Sequence, residues 1–363
     1  MSDPCTANSD PFWQRFYSQQ ASLEHFGTHS FAKTGTTPDP DHHAWLAPLH
    51  QVGLLQVAGA EAQAFLQGQL TADVAQMETG ATALAAHCDP KGRMHANFLL
   101  HRRAEDCFWL QMPTSVLEIA GKALQKYAVF SKVAVENISE HHFSIGFAPL
   151  DYVAGLFGQD ALHERAALLL WQQRLGVMVL PREALEEFAS WQQRADIAWQ
   201  GSARWQRMAI DAGVGFVEAI TSGAFIPQML NMDCLDGISF TKGCYTGQEI
   251  IARMKYRGSV KRRCWPFTAE IATFDIDHEL RTATIFELAA AFAAGAEVSD
   301  EKGSLCGQIV NSVVNSLGAT SGLLVLKQNA HNDSPDLFVQ TSEEMHNHRV
   351  PLALAKPPYA IPN

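Results

Sequence analysis

The sequence predicts an α+β protein whose last third closes into a small antiparallel β-barrel. Three observations predict it. Short alternating strands flank helical segments from about residue 52 to 135, and strands interleave with longer helical runs from 141 to 210. After Gly258, short strand-like segments succeed one another between turn signals. The chain of 363 residues has room for two or three domains, and its 47% hydrophobic content is ample for real cores. A formal charge of −11 argues against a general nucleic-acid binder, whose field must attract phosphates.

Residues 1–44 open with polar turns, hold a short helical stretch near 12–26, pass through Thr34-Gly35-Thr36-Thr37-Pro38-Asp39-Pro40-Asp41, and read as a loosely held leader. A strand at 52–57 precedes a helix at 60–67, which buries Ala62, Phe65 and Leu66 and stops with Gly68 at C′. Strands at 82–88 and 93–101 are joined by Asp89-Pro90-Lys91-Gly92, with Asp, Pro and Gly in the positions a type I turn favours. A strand at 107–112, a helix at 115–130 opened by a Ser115/Glu118 capping box, and a strand at 132–135 follow. Beyond 141, strands at 142–147 and 176–180 alternate with helices at 161–175 and 181–193, Pro181 taking N1. Trp171, Phe188, Trp191, Trp199 and Trp205 supply its core. A helix at 203–210 breaks at Asp211-Ala212-Gly213-Val214-Gly215. The barrel is expected from strands at 261–267, 295–298, 306–313, 322–326 and 337–340, with an alanine-rich stretch at 287–296 between the first two.

Residues 240–258 carry the chemistry. Thr246 and Glu249 have the spacing of a capping box, which predicts a helix with its N-cap at Thr246, a stripe of Ile250, Ile251 and Met254, and a left-handed stop at Gly258. Cys244 then falls two residues before the cap, near the positive end of the helix dipole, with Lys242 two residues further back. Both favour thiolate. Gly243 and Gly247 bracket the cysteine in a turn, which sets it apart from the usual buried, inert thiol.

The run Lys242-Gly243-Cys244-Tyr245-Thr246-Gly247-Gln248-Glu249 resembles the signature of the YgfZ family of folate-binding proteins, relatives of the glycine-cleavage T-protein, an aminomethyltransferase. Residues 65–73, with Gln67 and Gln69 flanking a glycine, resemble that family's N-terminal signature, and the likeness resumes at Arg207 and at 225–233. The resemblance implies a T-protein-like three-domain architecture: 45–140 plus 205–258 as the folate-binding-type domain, 141–204 as a ferredoxin-like middle domain, and 259–363 as the barrel. It implies a tetrahydrofolate-binding factor that helps maintain iron-sulfur proteins, including enzymes that modify tRNA. On this reading Cys244 reacts and Lys242 tunes it. Arg207, Gln228, Gln67, Gln69 and Arg253 contact the folate; Arg207 would grip a carboxylate bidentately. The T-protein pattern expects an acidic residue after the 89–92 turn, and 92–98 holds none, so aminomethyl transfer lacks its carboxylate and enzymatic activity stays open.

Two other readings remain open. One is a folate-dependent one-carbon transferase or demethylase. The other is direct RNA binding through the basic run Arg253, Lys255, Arg257, Lys261, Arg262 and Arg263, against the ordinary reading that a charge run faces water. Seven cysteines without a CxxC pair suit a reducing cytoplasm, and no stretch has the length of a membrane span. Cys234, Cys244 and Cys264 match no standard cluster motif, so a stable iron-sulfur cluster is not expected. His42-His43, His141-His142 and His346-Asn347-His348 lack metal-site spacing, and Walker, GxSxG and Rossmann motifs are missing.

Overall fold

The structure, a computed structural model, describes residues 11–19, 23–26, 29–32, 44–195, 197–270, 289–315, 319–327, 336–340 and 349–362. Cys5, the turns expected at 34–41, and His42, His43, His346 and His348 lie outside these residues. In order, the first elements are α1 (Pro11–Gln19), β1 (Leu23–Phe26), β2 (His29–Ala32), β3 (Trp45–Pro48), β4 (Val52–Ala58), α2 (Ala62–Gln69), β5 (Thr82–Cys88), β6 (Met94–Ala104), β7 (Cys107–Pro113), α3 (Leu117–Ala128) and β8 (Ala134–Asn137). Then come β9 (His142–Ala148), α4 (Leu150–Phe157), β10 (Ala167–Trp171), β11 (Leu175–Pro181), α5 (Leu185–Ala195), β12 (Ala198–Trp199), α6 (Ser202–Asp211) and α7 (Gln248–Tyr256). Last are β13 (Arg262–Ala269), β14 (Glu297–Ser299), β15 (Leu305–Val314), β16 (Thr320–Lys327), β17 (Leu337–Gln340) and β18 (Arg349–Leu354). Among the described residues no helix is long and apolar enough to cross a membrane.

The chain divides into two compact units, one of residues 1–66, 74–83 and 98–205, the other of 67–73, 84–97 and 206–363. The first holds a sheet ordered β10-β11-β9-β3-β12 whose core is aromatic: Phe143, Phe147, Phe157, Phe188, Trp191 and Trp199 are buried. Part of the leader joins this core, since Trp13 and Phe16 of α1 are buried in it. The helix expected at 161–175 is not there. A 3₁₀ turn at 161–165 gives way to β10, whose residues alternate in burial and pair with β11 through a turn in which Gln172 and Gln173 hold φ of 47° and 54°. Glutamine rarely announces such a turn, and a leucine run of that length fits a strand as well as a helix.

A second sheet runs β5-β6-β7-β4-β8. The expected hairpin forms, with Gly92 N donating to Asp89 O at 2.9 Å and Asp89 Oδ1 accepting from Lys91 N and Arg93 N at 2.8 Å each. Two helix ends differ from expectation. Gly68 lies inside α2, and α3 starts after a 3₁₀ turn with Val116, not Ser115, at its N-cap.

The second unit contains the barrel, which closes as β13-β16-β15-β14-β17-β18 around Phe267, Phe292, Val298, Ile309, Leu324 and Val339. Closure removes the open edges that would otherwise invite pairing with another chain. The sequence reading missed β18, because Pro351 argues against a strand; it pairs with Phe338 in a ladder whose burial still alternates.

Candidate functional site

Every residue of this site belongs to the second unit. The hairpin turn 89–92 seats the start of α7. Gly247, at φ 83°, is the helix N-cap; a Cβ on it would lie 2.6 Å from Asp89 O and 3.1 Å from Gly92 Cα. Only glycine allows both the left-handed backbone and that approach. The capping box is therefore corrected: α7 begins at Gln248, Thr246 N donates to Gly68 O at 3.2 Å, Thr246 Oγ1 donates to Gln69 Oε1 at 3.4 Å, and Glu249 is exposed without a capping bond. The helix ends at Arg257 with φ −136°, and Gly258 follows without the left-handed conformation expected of it. Of the stripe, Ile251 is buried, and Ile250 and Met254 are half-buried.

The loop before α7 sorts its side chains sharply. Cys244 and Gly243 are exposed, whereas Lys242 and Tyr245 are buried. Lys242 Nζ donates to Leu70 O at 2.8 Å and to Ala72 O at 2.7 Å, and lies 5.0 Å from the centre of the Tyr245 ring. The same turn is tied to the loop again by Thr71, whose hydroxyl donates to Gly237 O at 2.6 Å and whose carbonyl accepts from Ser239 N at 2.8 Å. Burial lowers the Lys242 pKa to about 8, against a smaller upward pull from Asp73. Its ammonium is thus committed to the 70–72 carbonyls, so the bonds make it a fastener of the Cys244 loop where an electrostatic activator was expected.

Among the described cysteines Cys244 is the exposed one. Burial pushes Cys264 up to about 12 and Cys234 up to about 11; Cys88 is driven up by burial and then by Asp89, and Cys107 and Cys306 are also raised. Exposure to solvent therefore sets Cys244 apart from the other described cysteines. Among the described residues no group of three or more His, Cys, Asp or Glu could hold a metal ion.

The residues expected to meet a folate are spread among different tasks. Arg207 is exposed, with Nε on Asp211 Oδ1 at 2.8 Å and Nη1 on Ser321 Oγ at 2.9 Å. Gln67 Nε2 donates to Asp73 Oδ1 at 2.9 Å, Gln69 accepts from Thr246, and Arg253 is exposed. Gln228 is buried on a 3₁₀ turn (Pro227–Leu230) and donates through Nε2 to Ile251 O at 2.7 Å, fixing α7 from below; its Oε1 is buried without a partner.

Sequence reasoning missed Asn231 and Asn97. Asn231, at φ 56°, donates to Cys264 O at 2.8 Å and Tyr359 Oη at 3.2 Å, and its Oδ1 has no partner. A left-handed Asn after a proline-led turn was the available signal. Asn97 clamps the neighbouring segment, donating to Gly215 O and accepting from Val217 N at 2.7 Å each. The basic run also loses a member. Arg263 is buried, bound to Asp233 at 2.6 and 3.0 Å and to Gln228 O at 3.0 Å.

Comparison with known proteins places this architecture. Residues 41–148 match the model of the GCVT N-terminal domain. The tRNA-modifying protein YgfZ of Shigella sonnei (strain Ss046) is 38% identical over 230 residues, 61% of this chain and 70% of that protein. The YgfZ of Escherichia coli (strain SMS-3-5 / SECEC) is 38% identical over 233 residues, covering 61% and 71%. The crystal structure of glycine cleavage system aminomethyltransferase T from Bartonella henselae superposes with a TM-score of 0.63 at 16% identity, over 97% of this chain and 98% of that one. The chain belongs to the YgfZ family and is built on the fold of the glycine-cleavage T-protein.

Proposed function

We propose that the protein is a cytoplasmic folate-binding accessory factor for the assembly or repair of iron-sulfur proteins, and that it supports tRNA modification through them. The observation that carries this reading is the sorting of the signature loop. Cys244 is presented to solvent while Lys242 and Tyr245 on either side of the exposed Gly243-Cys244 pair are buried, and every other described cysteine is at least half-buried. One presented thiol suits transient capture of a cluster, an adduct or a partner cysteine. The free state of all six described cysteines suits a reducing compartment.

Support for a folate comes from the fold and from buried polar atoms that lack partners: Gln228 Oε1, Asn231 Oδ1 and Tyr245 Oη. Buried polar atoms are nearly always paired, so these fit a ligand with hydrogen-bonding edges. Arg207 and Gln67 fit less well, because Asp211, Ser321 and Asp73 already hold them. When bound, tetrahydrofolate would supply a one-carbon carrier. The chain's own part is to hold its polar edge, exclude water and keep Cys244 in place. The transferase reading finds Asn97 fully bonded within the span where a carboxylate was expected.

Titration of tetrahydrofolate into wild type, Cys244→Ser and Gln228→Leu tests the reading, alongside mass-spectrometric measurement of modified tRNA in cells carrying each variant. Cys244→Ser should bind folate as wild type does and lose tRNA modification. Gln228→Leu should weaken folate binding about tenfold, the effect of one lost hydrogen bond of about 1.4 kcal/mol. Full tRNA modification with Cys244→Ser overturns the role of the thiol, absence of tetrahydrofolate binding to wild type overturns the folate assignment, and unchanged affinity with Gln228→Leu removes Gln228 from the site.

A further inference from the structure

The second half of the signature stretch has a property that thiol presentation does not require. Arg253, Lys255, Arg257, Lys261 and Arg262 are all exposed, and β-pairing sets the exposed Lys327 directly opposite Arg262. Among the described residues none of these six cations has a carboxylate within ion-pair distance. Their placement is internally unfavourable. Arg257 N donates to Arg253 O, which stacks like charges one turn apart, and Arg262 faces Lys327 across the ladder. Each like-charge pair opposes folding, although the C-terminal end of the α7 dipole favours cations in its last turn. An aromatic pair completes the face: Tyr256 is 66% exposed, and Lys255 Nζ lies 3.6 Å from the centre of the Phe240 ring, at the entry to the Cys244 loop.

Unfavourable like charge that no carboxylate among the described residues offsets is the pattern of a surface completed by a partner. We propose that this cationic face, at the end of α7 and the start of β13, is the docking surface for an acidic segment of a partner protein that engages the Cys244 loop. Charge complementarity selects that occupant. A transfer RNA is a polyanion larger than the face, so its remaining phosphates would meet a chain of net charge −11, whereas an acidic protein segment can be confined to the cations. The Phe240 face is also occupied by Lys255, which blocks the base stacking that single-stranded RNA uses.

The test uses a short Asp/Glu peptide carrying one cysteine activated as its thionitrobenzoate disulfide, and a Ser/Gly counterpart with the same disulfide. Attack by the Cys244 thiolate forms the mixed disulfide and releases thionitrobenzoate; subtracting the Cys244→Ser rate isolates that site. At low salt the acidic peptide should react about tenfold faster than the neutral one. Added salt should erase the advantage, and so should Arg257→Glu with Arg262→Glu, while the neutral-peptide rate stays at the wild-type value. Arg262→Glu alone, which also relieves the clash with Lys327, should lower the advantage in part and serves if the double variant misfolds. Equal rates for the two peptides on wild type overturn the proposal. Bulk tRNA that suppresses the advantage more strongly than unlabelled acidic peptide, at equal charge concentration, assigns the face to RNA and overturns it as well.

Discussion

Two buried cations of the second unit, Lys242 and Arg263, solve the same problem in opposite ways. Arg263 is met by a carboxylate, with Asp233 gripping it through two bonds at 2.6 and 3.0 Å. Lys242 meets carbonyl dipoles and an aromatic face, and Asp73 acts on it only as a secondary influence. The difference shows in protonation: burial brings Lys242 down to about 8. Arg263 is an anchor between β13 and the Gln228 turn. Lys242 is a marginal charge, retained where it holds the loop that exposes Cys244. Burial alone therefore does not say whether a cation is structural; the partner decides it.

Four measurements would break or sharpen that contrast. Arg263→Met should be the most damaging, because it strands Asp233 and frees Gln228 O; a loss of about 3–5 kcal/mol in urea unfolding is expected, and Asp233→Leu in the same chain should recover much of it. Asn97→Asp removes the donor to Gly215 O and sets a carboxylate against it, so a loss of about 1–3 kcal/mol is expected, without any gain of aminomethyl transfer in an activity assay.

Lys242→Met should change stability at neutral pH by only about 1 kcal/mol, since carbonyl bonds are lost but a desolvated charge is removed too. Its pH dependence is more telling. The folded pKa of about 8 lies below the ordinary lysine value of 10.5, so between them the unfolded chain binds more protons. Wild type should therefore gain stability relative to Lys242→Met as pH rises through that window, in paired denaturation curves. A gap that stays constant with pH would mean that the lysine titrates normally. The smallest effect belongs to Cys244→Ser, within about 0.5 kcal/mol of wild type, as for other exposed positions.

Much of the fold was legible because its signals are local. Short apolar runs bounded by turn residues mark β5, β6 and β15, which are buried over most or much of their length, and Asp89 with Gly92 announces the hairpin. The barrel followed from strands separated by turn residues. What escaped depends on tertiary context: β10 needs two left-handed glutamines, and β18 tolerates a proline. The site divides in the same way. The exposure of Cys244 was legible from its bracketing glycines. The work of Lys242 was not, because its partners stand at positions 70 and 72, about 170 residues earlier in the chain. Nor could sequence tell which of six basic residues turns inward to Asp233.

Gly92 and Gly247 face each other across the contact between the hairpin and α7, both with positive φ; a Cβ on Gly247 would meet Asp89 O at 2.6 Å, and one on Gly92 would press on Ile250 Cβ at 3.1 Å. Their fit acts as a fixed gauge. An insertion of one residue in the 89–92 turn would lift the helix and carry the exposed sulfur with it. Length variation in this hairpin should therefore be as poorly tolerated as loss of the cysteine, although the turn itself performs no chemistry.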